Sequence, residues 1–305
     1  MVQKISTSSD LAIGFIGLGR MGSPMAQRIK KAGYQLVLCD INLAVANEFG
    51  DDCFVNSARA VADACDIVFS CLPTIEAFNE TVLSKSGIAN GKRIKTYVHL
   101  GTTGVKHIIE IADHLATFGI DTVDAPISGG VIGAINGTLA SMISGFPNAL
   151  IQVKPLIECY SKIIVEFGDK VGAAQAVKLI NNTLSNTNLL AAIEGIEMGI
   201  KAGIDPDQLV KVVKMGTGSS RALETMVIEH VMTKKFAWGG PLQIIKKDLE
   251  AWRLMADELK VECALNRAAS DIFSAGIDYL GEQDDITSIA KYIQKKEMEF
   301  SLSAA

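Results

Sequence analysis

A glycine-rich turn between an apolar run and a helical pattern constrains the fold of this 305-residue chain more than any other feature. A strand is predicted at Ala12–Ile16, and it leads directly into Gly17-Leu18-Gly19-Arg20-Met21-Gly22 and a helix at Met21–Lys31. At this spacing the first glycine permits a tight turn, the second lets the backbone approach a pyrophosphate, and the third lets the helix pack closely on the strand. The helix N-terminus adds free N–H groups and the positive end of its dipole. The pattern therefore predicts a dinucleotide-binding loop in which Gly17, Gly19, Arg20, Met21 and Gly22 contact the cofactor.

Short runs of β-branched and apolar residues alternate with helical patterns through the first half of the chain. Near-continuous apolar runs of this kind are typical of parallel strands that are covered on both faces. The alternation predicts βαβ units and a doubly wound α/β sheet. The predicted strands after the first are Leu36–Cys39, Ile67–Ser70, Tyr97–Leu100 and Thr122–Asp124, with further strands possible at Met142–Ser144 and Ile163–Phe167.

Beyond Gly172 the patterns change to helices punctuated by glycines. Asp205-Pro206 is a typical helix start, with Asp as the N-cap and Pro in the first turn. We therefore predict two domains, residues 1–172 with the sheet and residues 173–305 with helices alone. The predicted helices are Val177–Ala202, Asp207–Met215, Ser220–Met232, Leu242–Leu259, Ala264–Leu280 and Ile286–Phe300.

Asp40 closes the second predicted strand, 18 residues beyond Gly22. A carboxylate at this place accepts hydrogen bonds from the adenine-ribose hydroxyls and repels a 2′-phosphate. The residues that follow, Ile41 and Asn42, include no arginine that could pair with such a phosphate. The sequence predicts NAD as the cofactor in preference to NADP, although a strand-end Asp can also merely cap a turn.

Composition excludes several classes of protein and partner. The chain is 49% hydrophobic with a mean hydropathy of +0.27, yet no apolar run approaches the ~18 residues of a membrane span. A net charge of -5 with dispersed Lys and Arg argues against nucleic acid as a partner. The polar start Met1–Thr7 lacks the apolar segment of a secretory signal, and the six Cys and four His lack metal-site spacing. We expect a cytoplasmic protein with no metal or membrane partner, whose apolar excess is buried in a homodimer or homotetramer.

A second loop follows the fifth predicted strand, in the run Asp124-Ala125-Pro126-Ile127-Ser128-Gly129-Gly130. A serine followed by two glycines can expose a hydroxyl and backbone N–H groups to an anion. The same composition also suits a plain turn, and the loop alone does not separate the two interpretations.

Together these motifs resemble the β-hydroxyacid dehydrogenase family, which includes 3-hydroxyisobutyrate dehydrogenase and the tartronate, glyoxylate and succinic semialdehyde reductases. The resemblance runs in order through Gly14–Gly19, Asp124–Gly130, Gly172–Asn182 and Lys247-Asp248-Leu249. It implies a Rossmann-type domain, a long interdomain helix and an all-helical C-terminal domain. It also implies transfer of a hydride between NAD and a small carboxylate-bearing hydroxyacid, a 3-hydroxyacid such as 3-hydroxyisobutyrate, or a semialdehyde.

The resemblance assigns roles to individual residues. Lys178 falls on the catalytic lysine and Asn182 on its partner asparagine, and their four-residue spacing places both on one face of a helix. Ser128, Gly129 and Gly130 fall on the loop that holds the substrate carboxylate. Further cofactor contacts are assigned to Leu72, Pro73, Thr102 and Lys247, and further substrate contacts to Thr102 and Trp238.

Two departures from the family pattern concern the substrate. Gly101-Thr102 stands where the family commonly has Ser-Thr, so one hydroxyl near the nicotinamide is absent. Gly240 stands where the family often has a pocket-lining Phe, which indicates a larger or differently shaped substrate, with Trp238 as a candidate replacement for the ring. Two alternatives to the dehydrogenase remain: an imine reductase, in which the catalytic lysine is generally replaced, and a non-catalytic NAD-binding regulatory protein. The presence of Lys178 favours the dehydrogenase over both.

Overall fold

A computed structural model describes residues 11–50 and 53–303 of the chain. Two compact units divide between Lys178 and Leu179, and the predicted domain boundary at Gly172 lies a few residues earlier. The polar start Met1–Thr7, on which the sequence-based expectation about targeting depended, lies outside the described residues. No described helix is long and apolar enough to cross a membrane.

The first unit is built on an eight-stranded mixed sheet in the order β2-β1-β3-β4-β5-β7-β6, with β8 paired to β7. Strands β1 to β5 are parallel neighbours, as predicted, and register pairs Ile13 with both Leu36 and Ile67. The last three strands differ from this pattern, since β7 runs antiparallel to β5 and β6. The strands are β1 Ile13–Ile16, β2 Leu36–Cys39, β3 Ile67–Ser70, β4 Thr96–His99, β5 Asp121–Asp124, β6 Ile127–Ser128, β7 Leu139–Gly145 and β8 Ser161–Glu166.

Helices cover both faces of this sheet, which is the doubly wound arrangement that the sequence predicts. Alternate residues of one strand enter different apolar clusters: Ile67 and Phe69 pack in one, and Val68 packs in the other. Successive strand side chains point to opposite faces, so each face has its own core. The helices are α1 Gly22–Lys31, α2 Ala58–Ala64, α3 Ile75–Leu83, α4 Val105–Ala116, α5 Gly130–Asn136 and α6 Pro147–Ile157.

A 29-residue helix, α7, begins in the first unit and continues into the second, which is helical throughout its described elements. The sequence predicts that this helix begins at Val177, four residues beyond its observed first residue, Ala173. The predicted helix Ser220–Met232 is a π-helix, Leu223–Val231, and the predicted helix Ile286–Phe300 is divided into a 3₁₀ turn and α11. The α-helices are α7 Ala173–Lys201, α8 Pro206–Met215, α9 Leu242–Glu258, α10 Ala264–Leu280 and α11 Ile289–Ser303, around one apolar core.

Candidate active site

The three glycines of the first loop serve different purposes. Gly17 has φ +87°, and its N–H donates to the carbonyl of Cys39 at 3.0 Å. A β-carbon on Gly17 would overlap the carbonyl oxygen of Cys71, and one on Gly22 would overlap the carbonyl oxygen of Gly17. The fold itself therefore requires these two glycines. A β-carbon on Gly19 would meet no atom within 4 Å, so the space beside its backbone is open to a ligand.

Helix α1 follows directly from this loop, and the backbone N–H groups of its first turn are potential hydrogen-bond donors to a ligand. Met21, the N-cap residue, makes no side-chain capping hydrogen bond, and the first turn carries no acidic side chain. Since the first N–H groups of a helix have no partner within the helix, they suit an anion. The open space at Gly19 and the uncapped start of α1 fit the diphosphate of a dinucleotide.

Asp40, immediately after β2, is tied to the same loop. Its Oδ2 accepts from the N–H of Leu18 at 2.5 Å, and its Oδ1 accepts from the N–H of Asn42 at 2.7 Å. The side chain is half-buried, so it remains accessible to a ribose. The structure also brings Leu72 to Gly17, since the Leu72 side chain lies 3.0 Å from where a Gly17 β-carbon would be. The remaining predicted cofactor residues of this region, Arg20 and Pro73, are exposed.

The loop after β4 carries the half-buried Thr102 and explains the first departure from the family pattern. The ring of His99 is completely buried, 4.4 Å from the ring of Phe78 and 3.4 Å from the hydroxyl of Tyr97. A β-carbon on Gly101 would lie 2.9 Å from the Cε1 atom of His99. The buried imidazole therefore occupies the space that a serine at position 101 would need.

The second glycine-rich loop leaves β6 at Ser128 and starts α5. Gly129 and Gly130 have φ of +128° and +66°, which are conformations that favour glycine, and both are exposed, while Ser128 is half-buried. The loop thus presents backbone and a hydroxyl at the surface of the first unit. Thr102, Ser128 and Lys178 lie on three separate segments of this unit, with Lys178 half-buried in the second turn of α7.

In the second unit a buried carboxylate joins two of the predicted residues. Asp248 is 2% exposed, and its Oδ2 accepts from Asn182 Nδ2 at 2.6 Å while its Oδ1 accepts from Lys247 Nζ at 2.6 Å. Because a carboxylate can only accept, this contact fixes which end of the Asn182 amide carries the nitrogen. One N–H of that nitrogen is used by Asp248, and the second can donate to another group.

The ring of Trp238 lies against Gly240, much as the ring of His99 lies against Gly101. A β-carbon on Gly240 would lie 3.1 Å from the Cζ3 atom of the Trp238 indole, so the indole lies over this glycine. The segment is held by Asp285, whose Oδ2 accepts from the N–H of Gly239 at 2.7 Å. Burial alone would raise the pKa of Asp285, but hydrogen bonds from the Thr287 hydroxyl and from the N–H groups of Gly239, Thr287 and Trp238 hold it below its usual value.

Sequence reasoning missed Gln175, which lies three residues before Lys178 and is completely buried. Its side chain contacts Asp124 and the loop after β4. The sequence signal that could have found it is a single amide in the run of small and apolar residues Gly172-Ala173-Ala174-Gln175-Ala176-Val177. Among the residues that the structure describes, no group of three or more His, Cys, Asp or Glu could hold a metal ion.

Two family profiles match this chain. Residues 12–168 match the family profile described as the NAD binding domain of 6-phosphogluconate dehydrogenase. Residues 172–293 match the profile described as NAD-binding of NADP-dependent 3-hydroxyisobutyrate dehydrogenase. The two matches together span both units.

Curated relatives and solved structures agree with these profiles. The chain is 30% identical to 2-(hydroxymethyl)glutarate dehydrogenase of Eubacterium barkeri, over 92% of this chain and 94% of that protein. It is 31% identical to 2-hydroxy-3-oxopropionate reductase of Escherichia coli (strain K12), over 93% and 97%. It is similar to the structure of 3-hydroxyisobutyrate dehydrogenase of Mycobacterium tuberculosis with L-serine, at a TM-score of 0.83 and 25% identity, over 93% and 99%.

An imine reductase of Streptomyces aurantiacus shares the fold at a TM-score of 0.61 and 17% identity, over 92% of this chain and 99% of that one. This likeness is more distant than that to the hydroxyacid dehydrogenases. The chain therefore belongs to the β-hydroxyacid dehydrogenase family.

Proposed function

We propose that this protein uses NAD to oxidise the hydroxyl group of a small 3-hydroxyacid, or to reduce the corresponding semialdehyde. Its family membership already makes it a hydroxyacid oxidoreductase with an NAD-binding domain. The named substrates of its relatives, 3-hydroxyisobutyrate, 2-(hydroxymethyl)glutarate and 2-hydroxy-3-oxopropionate, are all carboxylates that bear a hydroxyl or carbonyl group. They support a substrate of this class without identifying it.

The cofactor would be held by Gly17, Gly19, Gly22 and Asp40, on the surface formed by the first loop and the uncapped start of α1. NAD, when bound, supplies the oxidant by taking up the hydride that leaves the substrate carbon. The open space at Gly19 is the observation on which this assignment depends.

The proton is handled by Lys178 in this proposal. In the oxidative direction its amine takes the proton of the substrate hydroxyl, and in the reductive direction its ammonium donates a proton to the forming alkoxide. Asn182 follows one turn later on α7 and donates its second N–H to the same oxygen. The fixed orientation of the Asn182 amide by the buried Asp248 carries this part of the proposal, because a pre-aligned donor lowers the entropy cost of reaction.

The substrate carboxylate is assigned to the Ser128-Gly129-Gly130 loop, through the hydroxyl and the exposed backbone N–H groups. Thr102 is assigned to the cofactor and substrate, Lys247 to the cofactor, and Trp238 to the substrate. Arg20, Met21, Leu72 and Pro73 complete the proposed cofactor contacts.

We also place the protein in the cytoplasm, where its six free thiols would persist.

The test is an activity screen with a matched lysine control. Wild-type protein is assayed with NAD and NADP against 3-hydroxyisobutyrate, 2-(hydroxymethyl)glutarate and further 3-hydroxyacids, and against semialdehydes in reverse. Lys178→Met should lower kcat by about 100-fold or more and leave the Kd for NAD within about twofold. Lys170→Met, at an exposed lysine before α7, should keep wild-type kinetics. Absence of turnover on the whole panel would favour the non-catalytic regulatory alternative, whereas equal activity of Lys178→Met and wild type would refute the role of Lys178 as proton donor and acceptor.

A homodimer or homotetramer is part of the proposal. Apolar side chains on α7 and α8 of the second unit are left exposed, among them Leu184 at 52%, Met198 at 74% and Met215 at 88%. We take these exposed apolar side chains as candidates for a surface that a second copy of the chain covers. Sedimentation of the pure protein at micromolar concentration should give a mass of at least two chains, and a monomer there would refute the assignment.

A further inference from the structure

The side chain of Gln175 uses all its hydrogen-bonding capacity in a completely buried position. Its Nε2 donates to Asp124 Oδ1 at 2.8 Å and to the carbonyl of Gly101 at 2.9 Å. Its Oε1 accepts from the N–H groups of Thr103 at 3.0 Å and Gly104 at 3.2 Å. An amide is required here, since a carboxylate cannot donate and an apolar side chain can neither donate nor accept.

Asp124, at the end of β5, completes the arrangement. It is completely buried, and its Oδ2 accepts from the backbone N–H of Gln175 at 2.9 Å. The N–H of Gly172 and the hydroxyl of Ser144 also donate to this carboxylate. Burial raises the pKa of Asp124 to about 7, although the hydrogen bonds from Gln175, Gly172 and Ser144 act in the opposite direction. The carboxylate lies at the N-terminus of α7, where a negative charge interacts favourably with the helix dipole.

These contacts join two segments that the proposed function needs in register. The loop 101–104 carries Thr102, and α7 carries Lys178 one turn beyond Gln175. Each of the four bonds of the Gln175 side chain ends either on that loop or on Asp124. The hydrogen-bonded pair of Gln175 and Asp124 therefore prevents the first turns of α7 from rotating or sliding against the ends of β4 and β5. A misplacement of about 1 Å at a reacting group can cost about 100-fold in rate.

We propose that Gln175 is a positioning residue for the reaction, which sets the place of Lys178 relative to the loop that carries Thr102, with Asp124 holding the Gln175 amide in orientation. This inference rests on the proposed function, because it assigns Lys178 the role of proton donor and acceptor. Because Gln175 is completely buried, its proposed effect is exerted through the backbone and not by contact with substrate or cofactor.

The test replaces the amide by groups of graded capacity. Gln175→Met keeps the length of the side chain but makes none of the four bonds, and Gln175→Asn keeps an amide that is one methylene too short to reach all its partners. We expect kcat to fall about 10- to 100-fold in Gln175→Met and less in Gln175→Asn, with the KM of the substrate changed less than threefold. The pH profile of kcat should also shift, because the surroundings of Lys178 change.

A readout independent of turnover is hydrogen exchange at the backbone N–H groups of Thr103 and Gly104, which lose their acceptor in Gln175→Met and should exchange at least tenfold faster. Asn186→Leu is the matched control, since it removes another buried amide from α7, and it should leave kcat and its pH profile unchanged. If Gln175→Met fails to fold, the same measurements on Gln175→Asn decide. Wild-type kcat, pH profile and exchange in these variants would overturn the positioning role. An active Lys178→Met variant would instead overturn the proposed function itself.

Discussion

Replacing Asp40 by Asn should change the preference between NAD and NADP by about two orders of magnitude. The substitution keeps the shape of the side chain and removes its charge. In the native protein both carboxylate oxygens are engaged, Oδ2 by the N–H of Leu18 at 2.5 Å and Oδ1 by the N–H of Asn42 at 2.7 Å. Asp40→Asn offers one acceptor in place of two, so one of these N–H groups meets a donor instead.

Two effects of similar size add up in the preference. Two unit charges about 5 Å apart interact by about 3 kcal/mol at an effective dielectric constant of about 20. Because Asp40 is half-buried, solvent screening leaves about 1–2 kcal/mol of repulsion against a 2′-phosphate, and removing it should improve the use of NADP about tenfold. The adenine-ribose hydroxyls of NAD also lose a charged acceptor, which contributes about 1–2 kcal/mol, so NAD should bind about tenfold more weakly.

The assay measures kcat/KM for both cofactors with the best substrate of the panel, and Kd for both by fluorescence titration. Asp121→Asn is the matched control, because Asp121 is an exposed carboxylate at the N-terminal end of β5, whereas Asp40 follows the C-terminal end of the parallel strand β2. It should leave the ratio unchanged. If Asp40→Asn keeps the wild-type ratio of kcat/KM values, or if wild type already uses both cofactors equally, the role given to Asp40 is wrong.

Three further predictions concern Gly101 beside His99, the carboxyl group of Asp124, and Trp238 beside Gly240. Gly101→Ala should lower the free energy of unfolding, measured by urea titration, by about 1–3 kcal/mol because its β-carbon meets the ring of His99. The same change should cost less in a His99→Ala background, and equal costs in both backgrounds would contradict the steric explanation. Because burial raises the folded-state pKa of Asp124 to about 7, the folded protein retains a proton that the unfolded chain has lost, so stability should fall as pH rises from about 4 to about 7. Relative to Asp124→Asn, the decrease should approach about 1.4 kcal/mol per pH unit, and a constant difference would refute it. Trp238→Ala should raise the KM of the preferred substrate, and Gly240→Phe in that background should lower it again, while an unchanged KM in both would remove Trp238 from the substrate site.

Several elements of both units could be predicted because their signals are local. The strand Ile13–Ile16, its glycine turn and the helix ending at Lys31 follow from neighbouring residues, and the helix Ala264–Leu280 agrees with the prediction at both ends. These elements need only their own periodicity and punctuation to be recognised.

The parts that could not be predicted depend on contacts distant in sequence. Helix α7 begins at Ala173 because its first N–H groups find the carboxylate of Asp124, which lies about fifty residues earlier. The antiparallel β7 cannot be distinguished from another parallel strand by composition, since pairing direction depends on the path of the chain. In the sequence Gly101 is only an absent hydroxyl, because the steric reason for it is the ring of His99, whose position depends on the folded structure.

The open space beside Gly19 separates what folding demands of this loop from what the ligand demands. An alanine at Gly17 or Gly22 would overlap a carbonyl oxygen, whereas one at Gly19 would meet no protein atom. Natural drift should therefore treat the three positions differently. In a descendant that abandoned nucleotide binding, Gly17 and Gly22 would persist to keep the domain intact, and Gly19 would be the first to vary. A side chain at position 19 would therefore distinguish a relative that no longer binds the nucleotide from one that still does.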